Sequence, residues 1–168
     1  MNAFVFPGQG SQHLGMGADL YNSNQKAQQI FEDANEILGF KITDIMFGED
    51  QEALKQTNIT QPAIYIHSMV IALIADKFFK PNAVAGHSLG EFTALAAANY
   101  ISFEDGLRLV HKRAIAMQEA CEKNESSMAA IVGLDDNIVE GVCSQSKETL
   151  VAANYNCPGQ IVISGTIN

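Results

Sequence analysis

The sequence predicts an α/β fold built on a parallel sheet, followed by a smaller β-rich unit. Three observations carry that prediction. Short apolar runs at 3–6 and 83–85 each end in a glycine-containing loop. Helix-period segments separate and follow them, at 24–38, 62–79 and 102–122. After Lys123 the pattern becomes strand, helix, strand, strand.

Each element has a local cause. The run Ala3-Phe4-Val5-Phe6 is a short apolar strand stopped by Pro7. Over 24–38 a polar start precedes Ile30, Phe31, Ala34, Ile37 and Leu38 at helical spacing, and Gly39 supplies the C-cap. Residues 42–47 and 50–56 form short helical pieces. The apolar stretch 62–79 is a buried helix, with Pro62 suited to its first turn. Pro81-Asn82 turns the chain into the strand at 83–85. Ser102-Phe103-Glu104-Asp105 resembles a capping box and opens a helix to about Glu122. Beyond it come a strand at 127–132, a helix at 135–146, and strands at 149–154 and 160–164 with Pro158-Gly159 between the last two. A ferredoxin-like split β-α-β unit needs one more helix and strand, so 125–168 reads as the start of such a subdomain.

Composition narrows the function. At 168 residues the chain can bury a real core. It is 47% hydrophobic and 17% charged, which is the balance of a folded domain rather than a disordered one. A net charge of −9 with no basic run argues against nucleic-acid binding. Three cysteines, Cys121, Cys143 and Cys157, lack C-x-x-C spacing, so neither a disulfide framework nor a zinc site is expected; a reducing, cytoplasmic setting fits. The first residues have no basic region and only a brief apolar run, unlike a signal peptide. The segment 63–79 carries His67, Ser68, Asp76 and Lys77, too polar for a membrane span.

The chemistry concentrates at Gly86-His87-Ser88-Leu89-Gly90-Glu91. This is G-x-S-x-G between an apolar strand and a helix-forming stretch, the context of a nucleophile elbow. In so tight a turn the residues two before and two after the serine crowd each other, so both must lack a side chain, and Gly86 and Gly90 do. The turn lifts the Ser88 hydroxyl clear of the sheet. It also sets the Leu89 N–H at a helix N-terminus, where developing negative charge is stabilised.

Two further features are less specific. Pro7-Gly8-Gln9-Gly10-Ser11-Gln12 follows the first strand but matches neither a dinucleotide fingerprint nor a P-loop. If it lies beside the elbow, Gln9 supplies a second oxyanion donor; otherwise it is a plain turn. In the helix at 102–122 one stripe is Phe103, Leu107, Val110, Ala114, Met117 and Cys121, and the adjoining face is Leu109, Arg113, Ala116 and Ala120. Arg108 and Lys112 lie with Glu104, Asp105 and Glu119 instead. Arg113 is therefore either a carboxylate-binding fork or an arginine snorkelling at the core's edge.

Together these segments resemble the malonyl-CoA:acyl carrier protein transacylases of fatty acid synthesis. The likeness rests on residues 4–12, on the elbow at 86–91, on the helix carrying Lys112-Arg113-Ala114, and on Asn156-Cys157-Pro158-Gly159-Gln160 followed by Val162 and Gly165. The resemblance implies an α/β-hydrolase-like core with a parallel sheet and nucleophile elbow over 1–124, and an incomplete ferredoxin-like subdomain over 125–168. It implies that Ser88 accepts malonyl from coenzyme A as an ester, and that the phosphopantetheine thiol of acyl carrier protein removes it. Gln9 and Leu89 then match the oxyanion-hole positions, Arg113 the arginine that pairs with the malonyl carboxylate, and His87 the histidine near the substrate. Malonyl-CoA is the substrate, and no tightly bound cofactor or metal is expected. The family's catalytic histidine and the glutamine that orients it lie beyond residue 168, so the chain is expected to be inactive alone. His13, His67 and His111 match no family role; His67 reads as a packed core residue. Because carrier proteins are acidic, docking would need a local basic patch, with Lys112 and either Arg108 or Lys123 as candidates.

Two other readings compete. A serine esterase or thioesterase of α/β-hydrolase type would carry its histidine after the serine, and the only one there is His111, inside a helix. Hydrolysis of simple p-nitrophenyl esters without malonyl preference would favour it. The other is a non-catalytic half-protein that binds coenzyme A or a carrier.

Overall fold

The structure, a computed structural model, describes residues 1–123 and 125–167. The chain divides into two compact units, Met1–Gln118 and Glu119–Asn168.

In the first unit, β1 (Ala3–Phe6) pairs in parallel with β2 (Ala83–Gly86), from Ala3↔Ala83 to Phe6↔Gly86. Six helices come next: α1 (Ala18–Ser23), which the sequence reading did not expect, then α2 (Gln25–Leu38), α3 (Ile42–Phe47), α4 (Gln51–Lys55), α5 (Thr57–Ile74) and, after β2, α6 (Leu89–Ala97). A seventh, α7 (Phe103–Lys123), starts in this unit. Two isolated strands are marginal, so the unit is held by its helical core. Phe31, Ile42, Met46, Leu54, Ile64, Tyr65, Ile66, Met69, Leu89 and Leu107 are all nearly inaccessible. Each such side chain contributes about 1.5–3 kcal/mol of burial. Helix α5 is buried on almost every side, which explains its apolar run. Among the described residues, no helix is long and apolar enough to cross a membrane.

The caps are where the sequence puts them. The Asn24 side chain accepts from the Ala27 N–H at 3.0 Å, and Gly39 closes α2 at φ 76°. Ser102 Oγ accepts from the Asp105 N–H at 2.9 Å, capping the start of α7, and donates to the Asp105 carboxylate at 2.8 Å. The stripe on α7 is buried at Leu107, Val110 and Ala114, but Met117 and Cys121 are exposed.

Helix α5 differs from the expected 62–79 at both ends. It begins at Thr57, so Pro62 lies inside it rather than in the first turn. Proline has no N–H to give the Asn58 carbonyl. The turns before it are fastened independently: Ile59 and Thr60 donate their N–H groups to the Gln56 carbonyl at 2.9 and 2.7 Å, and Thr60 Oγ1 donates to the Leu54 carbonyl. At the other end Asp76, at φ 45°, breaks the helix into one 3₁₀ turn, Asp76–Phe78.

In the second unit, β3 (Ser126–Val132), α8 (Asp136–Gln145), β4 (Leu150–Cys157) and β5 (Gln160–Thr166) give an antiparallel sheet of order β3-β5-β4. Val139 and Cys143 of α8 pack on Ile161, with Ile131, Leu150, Ala152 and Ile163 around them. Gly159 takes φ 79° in the Pro158-Gly159 hairpin. Strand β4 runs three residues past its expected end, because pairing with β5 continues through two irregularities to Cys157↔Gln160.

Candidate active site

The site begins where β2 runs into α6. Ser88 is the one residue between Gly86-His87 and the first turn of α6, at φ 55° and ψ −111°. An L-residue is held there at a cost of about 1–3 kcal/mol, sustained by what surrounds it. The surroundings are backbone. A Cβ on Gly86 would stand 1.9 Å from the Gly90 carbonyl oxygen. One on Gly90 would stand 2.3 Å from that of Phe6 and 2.8 Å from that of Pro7. Hydrogen bonds fasten the turn: His87 N–H to Phe6 O at 3.1 Å, Gly90 N–H to His87 O at 2.8 Å, and Glu91 N–H to Ser88 O at 3.1 Å.

These contacts place the loop after β1 beside the turn. Gly8 lies against His87, where a Cβ would meet Nδ1 at 2.6 Å. Gln9, next along, is exposed; its Nε2 donates to Thr57 Oγ1 at 3.3 Å and its Oε1 accepts from Gln61 Nε2 at 3.5 Å. Leu89 buries its side chain fully in the core. As the first residue of α6 it has an N–H with no partner within the helix.

Arg113 closes the arrangement from α7. Its Nη2 donates to Ser88 Oγ at 2.8 Å and its Nη1 to Gln61 Oε1 at 2.6 Å. The head is thus drawn inward onto two neutral oxygens, and the snorkelling alternative does not describe it. Arg108 behaves differently, with Nε and Nη2 both on Glu104 Oε1 at 3.1 and 2.8 Å. That pairing offsets the Arg108 charge and leaves Lys112 and Lys123, each exposed, as the other candidates named for a basic patch.

His87, the residue before Ser88, is exposed and lines a shallow cavity with Val5, Phe6, Pro7, Ala85 and Gly86. Gln61 is the residue the sequence reading missed. It is 1% exposed and joins Arg113, Gln9 and the Met117 Sδ, to which its Nε2 donates at 3.3 Å. Its signal was there: a polar amide next to Pro62 at the head of an apolar helix. Starting that helix at Pro62 left Gln61 outside it. Among the described residues, no group of three or more His, Cys, Asp or Glu could hold a metal.

Among the described residues, no histidine side chain bonds Ser88 Oγ, whose side-chain partner is Arg113. His111 stands 5.9 Å from the Phe40 ring, centroid to centroid. His67 is half-buried, edge-on to His13 with centroids 6.1 Å apart, beside an apolar cavity of about 360 Å³ that includes Phe4, Phe6, Ile64 and Phe79. Burial, and then the nearby His13, push the His67 pKa down, against a smaller opposing pull from Asp19. A depressed histidine leaves stability full above its unfolded pKa of about 6.5 and erodes it as pH falls below that value, because only the unfolded chain takes the proton readily. The denaturant midpoint is therefore expected to fall between about pH 7.5 and 5.5, and less so in His67→Gln. Burial lowers the His111 pKa too, so some slope persists in that variant. Equal slopes in both proteins would contradict the assignment to His67.

The sequence matches the acyl transferase domain family over residues 3–168. A Staphylococcus aureus (strain MRSA252) protein named malonyl CoA-acyl carrier protein transacylase is 44% identical over 166 residues, which is 97% of this chain and 54% of that protein. The crystal structure of an acyl-carrier-protein-S-malonyltransferase from Bartonella henselae superposes with a TM-score of 0.92 at 41% identity, covering 99% of this chain and 55% of that one. A malonyl-transacylase solved with its type II polyketide synthase acyl-carrier protein gives 0.89 at 38% identity, covering 98% and 54%. The chain spans about half the length of the curated relatives it matches. With a family match that runs through both units and includes the serine turn, this chain belongs to the acyl transferase domain family.

Proposed function

We propose that the chain carries the serine-bearing part of a transacylase that moves a malonyl group from coenzyme A to acyl carrier protein in fatty acid synthesis. The observation that carries this is the 2.8 Å contact between Arg113 Nη2 and Ser88 Oγ. A guanidinium set one hydrogen bond from a strained serine suits an acyl group whose far end is a carboxylate. The names of the similar proteins supply the donor and acceptor.

In this scheme Ser88 Oγ attacks the thioester carbonyl. The N–H groups of Leu89 and Gln9 receive the oxyanion. The C–S bond breaks, and coenzyme A leaves as the thiol with the serine's proton. Then the phosphopantetheine thiol adds to the ester carbonyl, the C–O bond breaks, and Ser88 regains its proton. Arg113 holds the malonyl carboxylate through both halves, and His87 borders the substrate. The transfer is redox-neutral and uses malonyl-CoA as substrate with no bound cofactor.

The serine's proton needs a base, and the contact on Oγ is from a cation. We assign the base to a histidine outside 1–168. The first unit supports an α/β-hydrolase-like core over 1–124 through its parallel pair and serine turn. The order β3-β5-β4, in which β3 pairs only with β5 among the described residues, supports a ferredoxin-like subdomain over 125–168. The cytoplasm is the proposed location.

Transfer from malonyl-CoA to holo carrier protein is expected from the protein expressed from its complete reading frame, and none from residues 1–168 alone. Loss of one triad member typically costs several orders of magnitude. Turnover by 1–168 that Ser88→Ala abolishes would overturn the assignment of the base.

A further inference from the structure

The partners of Arg113 are unusual for a half-buried cation. Both are neutral oxygens, from Gln61 and Ser88, and among the described residues no carboxylate lies within ion-pair distance of it. Five residues earlier in the same helix, Arg108 has a glutamate. Gln61 is itself fixed. Its amide is buried, with the carbonyl end on Arg113 and the NH₂ end between Met117 Sδ and Gln9 Oε1. A glutamate would fill nearly the same volume and accept the same bond from Arg113. It would also cancel the charge.

We propose that Gln61 is a specificity-setting positioning residue: its neutral amide aims the Arg113 guanidinium across Ser88 while leaving the positive charge free for the carboxylate of the incoming acyl group. The inference rests on the reading of this site as a carboxyacyl site. It adds that the preference for malonyl over a neutral acyl group depends on position 61 being an uncharged acceptor. Acyl groups that end in a methyl gain nothing from an uncancelled guanidinium and meet the cost of desolvating it.

The test compares kcat/KM for malonyl-CoA and acetyl-CoA in protein expressed from the complete reading frame. In Gln61→Glu the malonyl-to-acetyl ratio is expected to fall by about tenfold or more. A merely structural role predicts an unchanged ratio, because glutamate keeps the hydrogen bond. In Gln61→Leu the bond is lost but the charge remains. There the malonyl KM is expected to rise while the ratio stays well above that of Gln61→Glu. A wild-type ratio in Gln61→Glu, or an equal loss on both thioesters, overturns the proposal. Should Gln61→Glu not fold, collapse of the ratio in Gln61→Leu to that of Arg113→Ala overturns it instead, and retention supports it. Failure of the underlying reading has a different signature: a wild type with no malonyl preference, or one that Arg113→Ala leaves intact.

Discussion

Arg113→Ala is expected to lower kcat/KM for malonyl-CoA by about 10- to 100-fold and to spare acetyl-CoA far more. The estimate follows from the loss of charged hydrogen bonds worth about 1.5–3 kcal/mol in a partly dry site. The variant also strands Gln61 Oε1 in a residue that is 1% exposed, since Arg113 is its hydrogen-bond donor. A buried acceptor without a partner costs about 1–3 kcal/mol of stability. Kinetics and a denaturant melt therefore belong together. A lower midpoint with an unchanged malonyl-to-acetyl ratio would make Arg113 structural. Arg113→Lys should recover part of the ratio, because the charge returns without the fork that reaches both Gln61 and Ser88.

Gly86→Ala is expected to be the most damaging single-methyl change in the first unit. The new Cβ would sit 1.9 Å from the Gly90 carbonyl oxygen, 2.0 Å from its carbon and 2.3 Å from the Glu91 nitrogen. All three are backbone atoms in the turn that holds Ser88, so no rotamer change relieves the clash. A loss beyond about 4 kcal/mol, or failure to fold, is the expected result in a denaturant titration. The control is Gly141→Ala in α8, where a Cβ would meet nothing within 4 Å. There helix propensity predicts a gain of up to about 1 kcal/mol. Equal effects at the two positions would contradict the interlocked turn.

Much of this was legible in the chain because local rules and tertiary structure agree. Gly86 and Gly90 announced a turn too tight for side chains, and the backbone contacts that exclude a Cβ are its physical content. Asn24, Gly39 and Ser102 marked helix ends that no long-range packing had reason to override. Helix α1 went unread, and two features that bear on the site were hidden. The start of α5 lies in Thr57-Asn58-Ile59-Thr60-Gln61, residues of modest helix propensity before a proline. Tertiary fastening through Gln56 and Leu54 makes them helical. The second hidden feature was the partner of Arg113. The 3.6-residue period put Arg113 on a face with small neighbours, but period alone names no partner on another helix. Only the fold brings Gln61, Ser88 and Arg113 together from three helices' worth of separate sequence.

The central claim is that Ser88 carries the acyl group. The direct measurement is to treat protein from the complete reading frame with malonyl-CoA, quench it with acid, and map the modified peptide by mass spectrometry. The expected result is one malonyl group per chain, on Ser88, discharged when holo carrier protein is added and absent in Ser88→Ala. A malonyl group on any other residue, or transfer to the carrier that survives Ser88→Ala, would contradict it.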